Sequence, residues 1–137
     1  MRIVKLSEEI FPNIDQVHNF FQNDLKIDPI GKFRFTKGRI SAKALQPNER
    51  IFFSYKGVIC YKAVTITGRQ NNVDSYKHKY PYYFNIDIDT ICPANIKLHE
   101  LEKMYTNISK TKISLAHTQG WPIIGDNYIS EKIWILI

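Results

Sequence analysis

From Arg2 to Leu6 (RIVKL) polar and apolar residues alternate, the two-residue period of a short strand with one face turned inward. The period then lengthens. Ile14, Val17, Phe20, Phe21 and Leu25 make one apolar stripe at helical spacing, Asn13 is placed to accept a backbone N–H as N-cap, and Gln16 follows three residues later, so residues 14–25 are predicted to be a helix. The turn residues Asp28-Pro29-Ile30-Gly31 close this stretch and return the chain to strand periodicity.

Phe33 to Thr36 alternates, Lys37-Gly38 reads as a turn, and Pro47-Asn48 suits a bend before the next strand. Two β-rich runs, Arg50 to Tyr55 and Val58 to Thr67, are joined by Lys56-Gly57 with the spacing of a hairpin. Gly68 ends the second run. Arg69 to Lys79 is a polar loop long enough to suggest a function, and Tyr82 to Ile91 alternates again as a strand with one wet face. Ile96, Leu98, Leu101, Met104 and Tyr105 predict a short helix over 97–105, Ser109 to Leu115 another strand, and Asp126 the cap of a final helix bearing Ile129, Ile133, Trp134 and Ile137. Strands clustered mid-chain with helices at the ends predict an α+β fold, a small curved or partly open β-barrel of five to six strands with flanking helices.

The chain has 137 residues, the size of one domain, and 44% of them are hydrophobic against 23% charged, enough to bury a core and exclude intrinsic disorder. No apolar run approaches the roughly 18 residues needed to cross a bilayer, and Glu8 and Glu9 interrupt the opening segment, so a cytoplasmic protein with no membrane partner is expected. Cys60 and Cys92 are expected as reduced core cysteines.

Charge narrows the partner. The net charge is +6, and between Lys32 and Lys79 only Glu49 and Asp74 oppose a run of Lys, Arg and His, which favours an anionic partner such as nucleic acid. Phosphate-loop, dinucleotide, nucleophile-elbow and zinc-protease motifs are all missing, so no catalytic residue, metal or cofactor is expected. Aromatics instead interleave with the basic residues, as in Phe33-Arg34-Phe35, Tyr55-Lys56, Tyr61-Lys62 and Tyr76-Lys77-His78-Lys79-Tyr80. Cations grip phosphate and flat rings stack bases, the two ingredients of a nucleic-acid site. Phe53, Phe84, Tyr61 and one of Phe33 and Phe35 are assigned to the core, and Trp134 to the buried stripe of the last helix. Trp121, held in a loop between Gly120 and Pro122, is the leading pocket residue, with Gln119 beside it able to read a base edge.

The segment Glu49 to Arg69 (ERIFFSYKGVICYKAVTITGR), with a Pro-Asn bend before it and YPYYFNIDID after it, resembles the central β-segment of PUA-like domains, in particular the EVE and ASCH branches. The resemblance implies a single PUA-like domain over residues 1–137 that binds DNA or RNA and accepts a flipped or modified base in an aromatic pocket. It places Ser54 and Tyr55 at the pocket mouth, Arg69 after the second strand and Trp121 on one side. An N-terminal Trp that many EVE domains carry has no counterpart here. Combined with the charge pattern, this assigns Lys37, Arg39, Lys56 and Arg69 to phosphates, and Tyr55, Tyr83 and Trp121 to the pocket, with Ser54 and Gln119 as its polar groups. DNA is favoured over RNA, in a restriction or defence system with a partner nuclease or motor protein.

Two other classes compete. Asp87 and Asp89, two apart on one strand face, suit a metal-dependent nuclease or nucleotide-modifying domain, although the wet face of a strand also explains them. A basic surface also suits a protein-interaction module with an acidic partner.

Overall fold

A computed structural model describes residues 1–36, 45–115 and 120–137. Lys37, Gly38, Arg39 and Gln119 lie outside the described residues. The described strands are β1 (Arg2–Lys5), β2 (Lys32–Phe35), β3 (Arg50–Tyr55), β4 (Val58–Thr65), β5 (Gln70–Asn71) and β6 (Tyr82–Lys97). The helices are α1 (Ile14–Gln22), α2 (Leu98–Ser109) and α3 (Asn127–Leu136).

The strands form one sheet in the order β1-β3-β4-β6-β2, with β5 paired to β6 beside the path. β1 and β3 run parallel, Val4 opposite Phe53, and the other pairs are antiparallel. Register shifts interrupt β3–β4 between Phe53 and Ser54 and β4–β6 at two further places. Each shift adds local twist, so the sheet curls into an open half-barrel. This is the expected α+β architecture.

Both sheet faces are covered. Val4, Ile51, Phe53, Tyr61, Phe84 and Ile86 pack with Val17 and Phe21 of α1 on one side, while Ile3, Phe52 and Ile59 pack with Leu98, Leu101 and Ile133 of α2 and α3 on the other. Every residue of β3 after Arg50 is therefore buried, as expected of a strand with two apolar faces. The predicted core residues Phe53, Phe84 and Tyr61 are buried, and Phe33 and Phe35 are both buried because residues two apart share a strand face. Trp134 is only half-buried against the second cluster, with the Lys62 ammonium 4.6 Å from its ring centroid.

The N-caps are as read. Asn13 accepts from the Gln16 N–H at 3.0 Å and Asp126 from the Ile129 N–H at 3.0 Å. Four expectations are corrected. The first helix stops at Gln22, because Asn23 leaves helical geometry, and Leu25 reaches the core from a separate 3-10 turn, Asp24–Lys26. Ser109 to Leu115 is not a strand: past the end of α2 the Thr111 N–H bonds to the Ser109 hydroxyl and the Leu115 N–H to Glu102, which replace a strand partner. The last β-strand runs on through Pro93 to Lys97, and α2 begins only at Leu98. Cys60 is buried, but Cys92 is exposed on β6 opposite Lys62.

The edge strand β1 is closed by residues 122–124. Ile3 N–H donates to Pro122 O at 3.0 Å, Ile124 N–H to Met1 O at 2.8 Å, and Arg2 bridges to Ile123. Arg2 is fully buried. Its Nε donates to Glu49 Oε1 at 2.7 Å and its Nη1 to Trp121 O at 3.0 Å, so one side chain ties β1, the approach to β3 and the Trp121 loop together. Glu49→Ala removes the countercharge of a buried guanidinium and is expected to cost about 3–5 kcal/mol in urea unfolding. Arg2→Met combined with Glu49→Leu should recover most of that loss; no recovery would show that the ion pair is not what the site needs.

Candidate base-binding recess

β2 sorts its residues by face. Phe33 and Phe35 point inward against Phe84 and Trp121, while Lys32 and Arg34 point the other way, opposite Asn85 and Tyr83 of β6. At the edge where β2, α1 and the Trp121 loop meet lies a recess of about 450 Å³. That volume lies within the range of small-ligand sites.

Its aromatic lining comes from Phe11, Phe20, Phe33, Phe35, Tyr80 and Trp121. The rings meet edge to face or tilted: Trp121 to Phe35 at 5.0 Å, Trp121 to Phe33 at 6.1 Å, Phe20 to Phe33 at 5.7 Å and Phe11 to Phe20 at 5.3 Å between centroids. Such edge-to-face packing is the favoured geometry of aromatic groups and holds each ring in place. Trp121 is 2% exposed, so it forms the floor of the recess and not a free-standing wall. Gln16, Asn19 and Asp24 supply polar groups at the mouth, and Lys5, Lys32 and Arg34 supply cations. Partial burial lowers the Lys5 ammonium pKa, and its Nζ donates to Leu115 O at 2.9 Å.

The two rim cations of β2 share one acid. Lys32 Nζ and Arg34 Nε donate to Asp74 Oδ2 at 2.9 and 2.7 Å, while Asn72 Nδ2 and the Tyr76 N–H donate to Oδ1 at 2.9 and 2.8 Å. Partial burial alone would raise the Asp74 pKa, but the bonds from Lys32 and Arg34, with those from Tyr76 and Asn72, outweigh it and hold the carboxyl well below the usual range. The ammonium of Lys32 also lies 4.4 Å from the Tyr83 ring centroid and the guanidinium of Arg34 5.1 Å from that of Tyr76.

The expected grouping of Tyr55, Tyr83 and Trp121 is not formed. Tyr55 is buried and its hydroxyl donates to Phe11 O at 2.5 Å, because β3 turns it toward α1. Tyr83 belongs to the opposite face of β6, under Lys32. Of that trio only Trp121 lines the recess. Ser54 is buried beside a separate depression with Lys56, whose Nζ is 3.4 Å from Glu8 in an exposed pair. Arg69 lies over Tyr82 at 4.5 Å.

The recess residues that spacing missed are Phe11, Phe20, Lys5, Lys32, Arg34 and Tyr80. One signal was available: Phe20 and Phe21 are adjacent and so about 100° apart around the helix, which puts one of them at the margin of the apolar stripe, and it is Phe20, packed against Phe11, Phe21 and Phe33.

Asp87 Oδ1 accepts from the Asp89 N–H at 3.1 Å, a local contact within β6, and among the described residues no group of three or more His, Cys, Asp and Glu is placed to hold a metal. Burial pushes the Cys60 thiol up to about 11, so it stays protonated near neutral pH. No helix among the described residues is long and apolar enough to cross a membrane.

No protein-family model and no curated protein matches the sequence. Solved structures do match. The chain superposes on the YTH domain of the Zygosaccharomyces rouxii MRB1 protein, in complex with N6-methyladenosine RNA, with a TM-score of 0.56 and 17% identity. The Pho92 YTH domain in complex with m6A gives 0.56 and 18%. Each match covers 98% of this chain and 83% of the other. The likeness is one of fold, and its neighbours are YTH domains where the sequence resemblance pointed to EVE and ASCH domains.

The low pKa of Asp74 has a sign that can be checked. A carboxyl held low in the folded state contributes its stability above the unfolded-state value of about 3.9 and loses it as pH falls below that. Asp74→Asn should therefore lower the urea midpoint more at pH 7 than at pH 3. An equal change at the two pH values would mean that the ionised cluster adds no stability.

Proposed function

We propose that this protein is a non-enzymatic nucleic-acid reader that takes one extruded, modified base into the recess floored by Trp121. The observation that carries the reading is an aromatic-lined hollow with cations on its rim, set in the fold of domains solved with N6-methyladenosine RNA. Extruding a base costs a few kcal/mol, and stacking returns about 1–3 kcal/mol per base, so hydrogen bonds from mouth residues such as Asn19 and Asp24 complete the balance.

A methyl on an exocyclic amine suits this chemistry. Burying it against Phe33, Phe35 and Trp121 is worth about 0.8 kcal/mol, or about fourfold in affinity, before any stacking gain. The neighbours' ligands move the expected polymer from DNA to RNA. A partner nuclease or motor would act on the bound strand, since the reader itself needs no reactive group.

The test is fluorescence anisotropy with a single-stranded RNA carrying one N6-methyladenosine, the same RNA unmethylated, and the DNA equivalents. The methylated RNA should bind at least about fourfold more tightly. Trp121→Leu, which keeps an apolar floor, should remove that preference and leave salt-sensitive background binding. Equal binding of methylated and unmethylated strands by the wild-type chain would sink the reading.

A further inference from the structure

Lys32 and Arg34 line the recess, yet their side chains are only 12% and 25% exposed and both are engaged by Asp74. Four donors from four residues converge on this one carboxylate. The loop that carries it is closed on itself: the Asn72 N–H donates to Pro81 O and its side-chain amide to Tyr80 O, both at 2.8 Å. Two cations with an amide and a backbone N–H around a pair of oxygens form a donor set that suits a phosphodiester as well as a carboxylate.

We propose that this cluster is a binding site for a backbone phosphate of the bound strand, occupied in the free protein by the chain's own Asp74. The proposal rests on the base-reading function and adds to it where the strand leaves the recess. A base seated on Trp121 brings its flanking phosphate past Lys32 and Arg34, which lie on the outward face of the strand whose inward face carries Phe33 and Phe35. The phosphate then competes with Asp74 for the same donors. Asp74 thereby holds down affinity for nucleic acid in general, so that a strand without a base to seat gains little from this rim. In the free state Lys32, Arg34 and Asp74 sum to one positive charge; with Asn at position 74 they sum to two.

Asp74→Asn keeps an Oδ1 acceptor for the Tyr76 N–H and the Asn72 amide while removing the charge. Binding of the same methylated and unmethylated single-stranded RNAs is measured across a salt series, with thermal melting of each variant to confirm folding. The variant should bind both RNAs more tightly, roughly tenfold at low salt, with a log–log salt slope steeper by about 0.7 for each further phosphate neutralised. The ratio between the two RNAs should stay the same. In a Lys32→Gln/Arg34→Gln background the Asp74 change should have no effect.

Unchanged or weaker binding by folded Asp74→Asn overturns the proposal, as does a tightening that persists without Lys32 and Arg34. Loss of methyl preference in the wild-type chain would instead count against the base reading, and the unmethylated RNA reports on Asp74 in either case.

Discussion

The guanidinium of Arg2 is the point on which the site depends. Burying a cation completely is costly unless oxygens surround it, and here they come from Glu49 and the Trp121 carbonyl. These groups lie far apart in the chain, so satisfying one buried charge forces β1, the approach to β3 and the Trp121 loop into a fixed relation. The segment after Trp121 then closes the open edge of β1, which would otherwise present unpaired backbone groups. Trp121 is held at the floor of the recess because its own carbonyl is bonded to Arg2 and the backbone that follows it is bonded to β1.

β6 supplies the second constraint. It pairs with β4 along most of its length and with β2 and β5 near its start, so a single strand belongs to both limbs of the curled sheet. Gly31 sets where β2 joins it. The Gly31 N–H donates to Leu25 O, its carbonyl accepts from the Ile86 N–H, and a Cβ at its positive φ would run into the Ile86 carbonyl. Once that register is set, alternation along β2 puts two phenylalanines in the recess and two cations on the opposite face, at its rim. The proposed stacking surface and the proposed phosphate grip are thus the two faces of one four-residue strand.

Periodicity along the chain was enough to place most elements. The hairpin at Lys56-Gly57, the caps at Asn13 and Asp126, the burial of Phe53, Tyr61 and Phe84 and the α+β class all follow from spacing and turn chemistry, because these are decided by neighbours within a few residues. Where local hydrogen bonds compete with a ladder, as after Ser109, or where one cap residue ends a helix early, as at Asn23, spacing alone was misleading.

The recess was only partly legible. Spacing marked Trp121 as a pocket residue and the middle of the chain as basic, but alternation says only whether a side chain points in or out, and it cannot say which inward residues leave a gap between them. Phe11, Phe20, Phe33, Phe35 and Trp121 come from four separate segments, and their meeting is decided by how α1 docks on the curled sheet and by the buried charge of Arg2. Tyr55 and Tyr83 both lie in strand-like runs that contain other aromatic residues, yet packing sends one into the core and the other to the opposite sheet face. Local chemistry therefore chose the elements and the basic character of the middle of the chain, whereas the position of the hollow and the acid that occupies its cations were set by long-range packing.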